Sequence, residues 1–324
     1  MQQHASAFWV AAPGRGEIRD ERLVPPTEQE VLVQALYSGI SRGTEALVFG
    51  GHVPQSEWVR MRAPFQVGEF PSPVKYGYAC VGRVIDGSDE LQGRIVFVLY
   101  PHQTQFVVPA SAIHPVPDSV PPARAVLAAN METALNGVWD ARPHVGDRIS
   151  VVGAGAVGCL AAWLASRIPG CDVELVDTNP NRAAIARTLG VRFAEPKSAA
   201  DEADIVIHAS GAPAGLDLAL RLAAVEARIV ELSWFGDQVV PLPLGGAFHA
   251  RRLTIQSSQV GSVAPAQRPR WDTHRRMQLA LRLLGDAALD ALVTGESTFD
   301  TLPDVMAQLT ASPGDTLCHR IRYA

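Results

Sequence analysis

Residues 151–158 read VVGAGAVG, with Gly153, Gly155 and Gly158 spaced as G-x-G-x-x-G. Spacing alone is a weak signal in a chain of 27 glycines, but the setting here is specific. The apolar run ISVV precedes it, AVGCLAAWLASRI follows it, and the next run, DVELVD, ends in an acid, Asp177, at the expected remove. A strand, a tight glycine turn and a helix are therefore predicted in that order, the unit that holds a dinucleotide. Gly153 permits the turn, Gly155 lets backbone N–H groups approach a pyrophosphate, and Gly158 lets the helix pack closely on the sheet. Ala156 and Val157 open the helix, whose amino terminus stabilises phosphate charge. Asp177 is placed to accept hydrogen bonds from the adenosine ribose and to repel a 2′-phosphate, which predicts NAD, with NADP less favoured. Arg182 can stack on the adenine or reach a phosphate. Asp177 has a second reading, as a cap for a helix starting at Asn181.

A chain of 324 residues exceeds one ordinary core, and two domains are expected. Its character changes near residue 119. Before it, VLVQALYSGI, VGRVIDG, GRIVFVLY and TQFVVPASAIHPVP are short apolar or alternating runs broken by Gly and Pro, which predicts a strand-rich, partly barrelled domain. From SVPPARAVLAANMETALNGVWDA onward helix and strand alternate, which predicts a parallel sheet covered on both faces. Strands are expected at ISVVG, DVELVD, ADIVIHAS, ARIVELSWF and RLTIQSS, with helices at AVGCLAAWLASRI, NRAAIARTLG, AGLDLALRLAAV and THRRMQLALRLLG. The tail reads as one helix and a closing strand able to return to the first domain. The fold class is α/β.

Net charge is −5 without a run of Lys or Arg, so neither a nucleic-acid nor an anionic-membrane partner is expected. The uncharged stretch from Ile149 is too short and glycine-rich to span a bilayer. Cys80, Cys159, Cys171 and Cys318 form no C-x-x-C pair, and MQQHASAFWV lacks the basic and apolar regions of a secretion signal. A cytoplasmic protein in a reducing compartment is expected.

SGISRGTEALVFGG, KYGYACVGRV, HVGDRISVVGAGAVG and HASGAP, in that order over nearly the whole chain, resemble the medium-chain dehydrogenase/reductase superfamily, which includes the zinc alcohol dehydrogenases. The resemblance implies a GroES-like catalytic domain at 1–118 and 290–324, a Rossmann domain at 119–289, and an active site in the cleft. It adds Ser210 and Gly211 of HASGAP to the cofactor residues, and implies a homodimer paired through the edge around RLTIQSSQVGS. In the zinc enzymes a cysteine ligand lies within Cys-Gly-Thr-Asp; here the position falls on Ser41 or Arg42. The second ligand lies in Gly-His-Glu, where this chain has Gly77-Tyr78-Ala79. The third falls among Ala128, Ala129 and Asn130, unless Glu132 is used. No four-cysteine lobe is present, and no zinc is expected. SRGTE and GY-x-x-VGRV are similar to the zinc-free branch that contains bacteriochlorophyllide a dehydrogenase.

By this resemblance Tyr78 replaces a metal-binding histidine. Along a strand Tyr76 and Tyr78 share one face and Lys75, Gly77 and Ala79 the other. Hydride transfer at a carbinol carbon develops charge on oxygen. A tyrosine, of ordinary pKa about 10, can hold that oxygen if cations lower its pKa; the oxidised nicotinamide, Lys75 and Arg42 are candidates. Thr44 matches the family's proton-relay hydroxyl and Glu45 its neighbouring acid, and His102 can relay to solvent. Each has a structural alternative: packed aromatics for Tyr76 and Tyr78, a turn for Thr44, an arginine partner for Glu45, a hydrogen-bonded filler for His102. His52, His114, His144 and His208 carry no functional assignment. Trp58, Met61, Phe65 and Phe70, in the long link GGHVPQSEWVRMRAPFQVGEFPSP, either wall an apolar or aromatic substrate or form that loop's own small core. The expected function is zinc-independent hydride transfer between NAD(H) and a secondary alcohol or ketone. The alternatives are a zinc-free quinone or enoyl reductase using NAD(P)H, and a non-catalytic NAD-binding redox sensor.

Overall fold

The structure, a computed structural model, describes residues 3–324. The chain forms two compact units. One comprises the residues up to Ala129 together with Met277–Ala287 and Val293–Ala324; the other comprises Asn130–Arg276 with Ala288–Leu292.

The first unit is built mainly on antiparallel strands, Val293–Thr298 and Cys318–Arg322 alone pairing parallel among those described. Its larger sheet runs Val293–Thr298, Cys318–Arg322, Glu30–Ile40, Cys80–Asp86, Ile95–Val98 and His114–Pro115, with Gln105–Pro109 also paired to Glu30–Ile40. A smaller sheet orders Arg15–Leu23, Gln3–Ala12, Val74–Lys75 and Val67–Gly68. The closing strand pairs antiparallel with Glu30–Ile40, Ile321 opposite Ser38, so one of the last strands of the chain lies beside one of the first. The central strand is covered on both faces over part of its length, burying Val31, Leu32, Val33 and Ala35. A helix not expected from the sequence, Arg42–Gly50, follows that strand and ends on Gly51. At φ 78° Gly51 turns left-handed and returns its N–H to Leu47 and Val48.

The strand expected across Lys75–Ala79 is interrupted. Val74–Lys75 and Cys80–Asp86 are strands, but residues 76–79 are not. Gly77 takes φ 135°, and a Cβ there would lie 3.0 Å from the His102 ring. Both conditions demand glycine. The strict two-faced alternation of Lys75 through Ala79 is thus corrected: the chain kinks between the two tyrosines to pass the histidine.

The second unit is a six-stranded parallel sheet in the order Arg192–Ala194, Asp172–Val176, Arg148–Val152, Ala203–His208, Ala223–Glu231, Thr254–Ser257. Numbered along the chain this is 3-2-1-4-5-6, the doubly wound dinucleotide-binding order. Helices Ala156–Ala165, Arg182–Leu189 and Pro213–Leu222 connect the strands. Strand order reverses between Arg148–Val152 and Ala203–His208, and ligands bind at the carboxyl ends of strands flanking such a point. No helix among the described residues is long and apolar enough to cross a membrane.

Candidate active site

The glycine loop lies at that reversal. A Cβ on Gly158 would stand 1.8 Å from the Gly153 carbonyl oxygen, and one on Gly153 would meet the Ser210 backbone at 2.6 Å; Gly155 faces open space. The first two glycines thus let the helix and the neighbouring strand close in, while the third leaves room for a ligand against the backbone. Gly155 caps the helix Ala156–Ala165 with no side-chain bond to its first-turn amides. An uncapped helix start with a vacant approach is the cradle a pyrophosphate needs. Asp177 follows the second strand and accepts from the Ala154 N–H at 2.6 Å and the Asn179 N–H at 2.8 Å. It does not cap the next helix, whose start at Asn181 is bonded instead to the Asn179 side chain. Arg182 is buried at 5 % exposure, which leaves little of it to stack on an adenine. Ser210 and Gly211 stand in the turn after the fourth strand, where Gly211 is left-handed at φ 68° and donates to Ser233 Oγ at 3.0 Å.

In the first unit the hydroxyls of Ser41 and Thr44, at the start of helix Arg42–Gly50, hydrogen-bond the Tyr78 phenol. Burial, reinforced by the Glu45 carboxylate, pushes that phenol up to about 12. Tyr76 is buried and raised for the same reasons, and its ring meets Tyr78 edge-on at 6.0 Å and Phe70 at 5.8 Å. The expectation of cations lowering the phenol is corrected for Lys75 and Arg42. Lys75 is buried against Glu21 at 2.6 Å and Gln103 at 2.8 Å, and Arg42 donates to the Thr316 carbonyl.

Glu45 is buried in a relay the sequence did not disclose. One carboxylate oxygen accepts from the Ser41 N–H at 2.8 Å and the other meets His102 Nε2 at 2.8 Å. His102 Nδ1 meets Ser38 Oγ at 2.7 Å, and Ser38 meets the Tyr323 hydroxyl at 2.9 Å. His102 is 1 % exposed, so it is an interior link and not an outlet to solvent. Of the aromatic loop, Phe70 packs down onto Tyr76 and Phe65 onto Tyr100, while Trp58 donates to the Val53 carbonyl within the loop. These contacts give the loop a small aromatic core of its own, packed on Tyr76 and Tyr100.

Residues 149–219 match the family model of ketopantoate reductase PanE/ApbA, which covers the glycine loop and the first four strands of the parallel sheet. D-guloside 3-dehydrogenase of Escherichia coli (strain K12) is 26 % identical over 311 residues, covering 86 % of this chain and 88 % of its own. An uncharacterized zinc-type alcohol dehydrogenase-like protein of Haemophilus influenzae is 29 % identical, with 98 % of each chain covered. A structure described as a zinc-binding dehydrogenase of Sinorhizobium meliloti 1021, bound to NADP, superposes with a TM-score of 0.79 at 17 % identity over 99 % of this chain and 100 % of its own. Over most of its length the chain is thus similar to dehydrogenases of the zinc-type alcohol dehydrogenase kind, and it shares their fold. With these relatives it is an NAD(P)-dependent dehydrogenase of the alcohol dehydrogenase kind.

Zinc-type relatives make the fit of this dehydrogenase to zinc a structural question. Ser41 and Tyr78 offer a hydroxyl and a protonated phenol bonded to each other. Glu132 is held by the Arg276 guanidinium at 3.0 Å and both side chains are buried. Burial pushes the thiols of Cys80 and Cys318 up, the latter to about 12, so neither is a thiolate. Among the described residues no three His, Cys, Asp or Glu side chains converge on one point. Zinc takes three or four N, S or O donors in a tetrahedron, and these residues do not fit it.

Proposed function

We propose that this dehydrogenase transfers hydride between NAD(H) and a secondary alcohol or ketone without zinc, with Tyr78 holding the substrate oxygen. The observation that carries the proposal is the Ser41–Tyr78–Thr44 hydroxyl cluster, in which Ser41 and Tyr78 stand, by the resemblance, where the zinc members carry metal ligands and Thr44 where they carry a relay hydroxyl. The nicotinamide supplies or accepts the hydride. A phenol raised to about 12 stays protonated at neutral pH, so Tyr78 acts as a donor: it hydrogen-bonds a carbonyl oxygen and delivers the proton as charge develops there. Ser41 and Thr44 orient the phenol, and Thr44 offers the hydroxyl through which a proton returns. Phe70 and Tyr76 give the adjoining wall an aromatic character, which supports a substrate less polar than a free sugar. The protein named D-guloside 3-dehydrogenase makes glycosides a necessary part of any substrate panel.

Turnover is expected on secondary alcohols or ketones from protein purified in chelator, with sub-stoichiometric zinc by elemental analysis. Activity that appears only with one equivalent of zinc would sink the proposal; tight NADH binding with no turnover on any substrate would favour the redox sensor.

Asp177 supports NAD over NADP, since its carboxylate repels a 2′-phosphate where it accepts the ribose hydroxyls. Asp177→Ser is expected to shift the NADH-to-NADPH ratio of kcat/KM at least tenfold toward NADPH, as one removed charge clash of about 1.4 kcal/mol or more would do. An unchanged ratio removes the assignment.

A further inference from the structure

His208, given no role by the sequence, is fully buried at the carboxyl end of the fourth parallel strand. Its Nδ1 lies 2.7 Å from Glu231 Oε2 at the end of the fifth strand, and its Nε2 lies 2.6 Å from Ser210 Oγ. Glu231 Oε1 accepts from the Ser233 N–H at 2.6 Å, and Ser210 Oγ accepts from the Ala212 N–H at 3.1 Å. Ser233 Oγ stands 3.4 Å from Nδ1. Gly215, in the first turn of helix Pro213–Leu222, lets that helix lie over the pair: a Cβ there would fall 2.2 Å from Ser210 Oγ and 2.7 Å from His208 Nε2. Ser210 in turn abuts Gly153 of the glycine loop.

This connectivity fixes where the hydrogens go. A carboxylate only accepts, so Nδ1 carries the proton that Glu231 receives. In a neutral imidazole Nε2 is then an acceptor, and the Ser210 O–H must point at it. The serine, already accepting from Ala212, has no hydrogen left for a ligand. If His208 gains a proton from solvent, Nε2–H donates to Ser210 Oγ instead, and the hydrogen of the exposed serine is released from the histidine, with only the Ala212 carbonyl, at 3.5 Å, as a competing acceptor in the protein. Glu231 is the charge that stabilises the resulting imidazolium. Of the other elements packed on His208, the segment after the fifth strand stacks Phe235 on its ring and carries Asp237 two residues further on. Helix Ala156–Ala165 is uncharged, and the Asp217 and Arg221 side chains of helix Pro213–Leu222 are exposed, Arg221 being paired with Asp201.

We propose that His208 and Glu231 are positioning residues that couple dinucleotide binding to the uptake of one proton, by switching Ser210 from donating to His208 to donating to a phosphate or ribose oxygen of the cofactor. The inference rests on the dinucleotide assignment of this edge. Linkage then requires the dinucleotide to bind more tightly as pH falls, by up to about tenfold per pH unit wherever binding takes up one proton.

The test is calorimetric titration of the full-length protein with NADH, in buffers of different ionisation enthalpy, from about pH 5.5 to 8.5. NADH has no 2′-phosphate to titrate. About one proton is expected to enter per NADH bound on the alkaline side of the range, and the uptake is expected to vanish in Ser210→Ala and Glu231→Gln while NADH fluorescence still reports binding. Wild-type binding without uptake at any pH, or uptake that persists in Ser210→Ala, overturns the coupling and leaves the dinucleotide site standing. Failure of both NADH and NADPH to bind the wild type overturns the dinucleotide assignment and the coupling with it.

Discussion

Tyr78→Phe is expected to lower kcat for ketone reduction by about 10²–10⁴-fold, the range for loss of a general acid, with a much smaller change in KM. The ring leaves the packing almost unchanged, because Tyr78 meets Tyr76 edge-on through its ring. What goes is the hydroxyl that Ser41 and Thr44 hold and that stays protonated with its pKa near 12. Its interaction with substrate oxygen strengthens as hydride arrives and charge accumulates, so the loss belongs in kcat. NADH affinity is expected to be unaffected. A change confined to KM would show Tyr78 as part of a binding wall only, and wild-type activity in the variant would return the role to a packed aromatic. Thr44→Val is the companion: it removes one of the two bonds that orient the phenol, and is expected to cost less than Tyr78→Phe.

The nucleotide unit was legible because each of its parts has an independent signal. Glycine spacing, a preceding apolar run, small residues in the following helix and a terminal acid all had to agree, and the strands at Arg148–Val152, Asp172–Val176 and Ala203–His208 lie where those runs fall. The strand Arg192–Ala194 is too short to show alternation, and the run ARIVELSWF overshot a strand that ends at Glu231. Helix Arg42–Gly50 has a start signal in Ser41 at its N-cap and Glu45 in its first turn, but it is only nine residues long and carries Gly43 inside, so its pattern is weak. At Tyr76–Ala79 the period-two argument failed on one glycine, whose positive φ ends the strand locally. The buried polar network was illegible for another reason. His102 meets Ser38 across 64 positions and Glu45 across 57, and Lys75 meets Glu21 across 54. No local pattern encodes such pairings; a lone histidine beside a proline looks the same on a surface as in a core. His208 differs in that strand order brings it beside Glu231, yet only the structure shows that both side chains lie in register at the strand ends.

Arg276→Met is expected to cost the second unit about 3–5 kcal/mol of stability, the range for breaking a buried ion pair on one side. Arg276 is 1 % exposed, and its guanidinium holds Glu132 at 3.0 Å and Asn136 Oδ1 at 2.6 Å while also reaching the carbonyls of Val260 and Ser262. One side chain thus ties helix Ala128–Ala141 to the segment after the last parallel strand. Methionine fills much of the volume but donates nothing, leaving a carboxylate in the interior with no cation. Burial already raises the Glu132 carboxyl against the pull of Arg276; without the arginine it rises further. The sign follows: a carboxyl whose folded pKa lies above its unfolded value binds more protons folded, so the variant's stability falls as pH rises from about 4 through that folded pKa. Denaturant unfolding is therefore expected to show the deficit of Arg276→Met shrinking toward acid pH. Glu132→Leu added to Arg276→Met should recover much of the loss, because an apolar pair replaces a buried charge without a partner. A deficit independent of pH and not relieved by the second substitution would place the cost in the Val260 and Ser262 carbonyls instead of in Glu132. The same experiment bears on zinc. Full stability recovered by the double substitution, with turnover retained, is incompatible with Glu132 serving as a metal ligand.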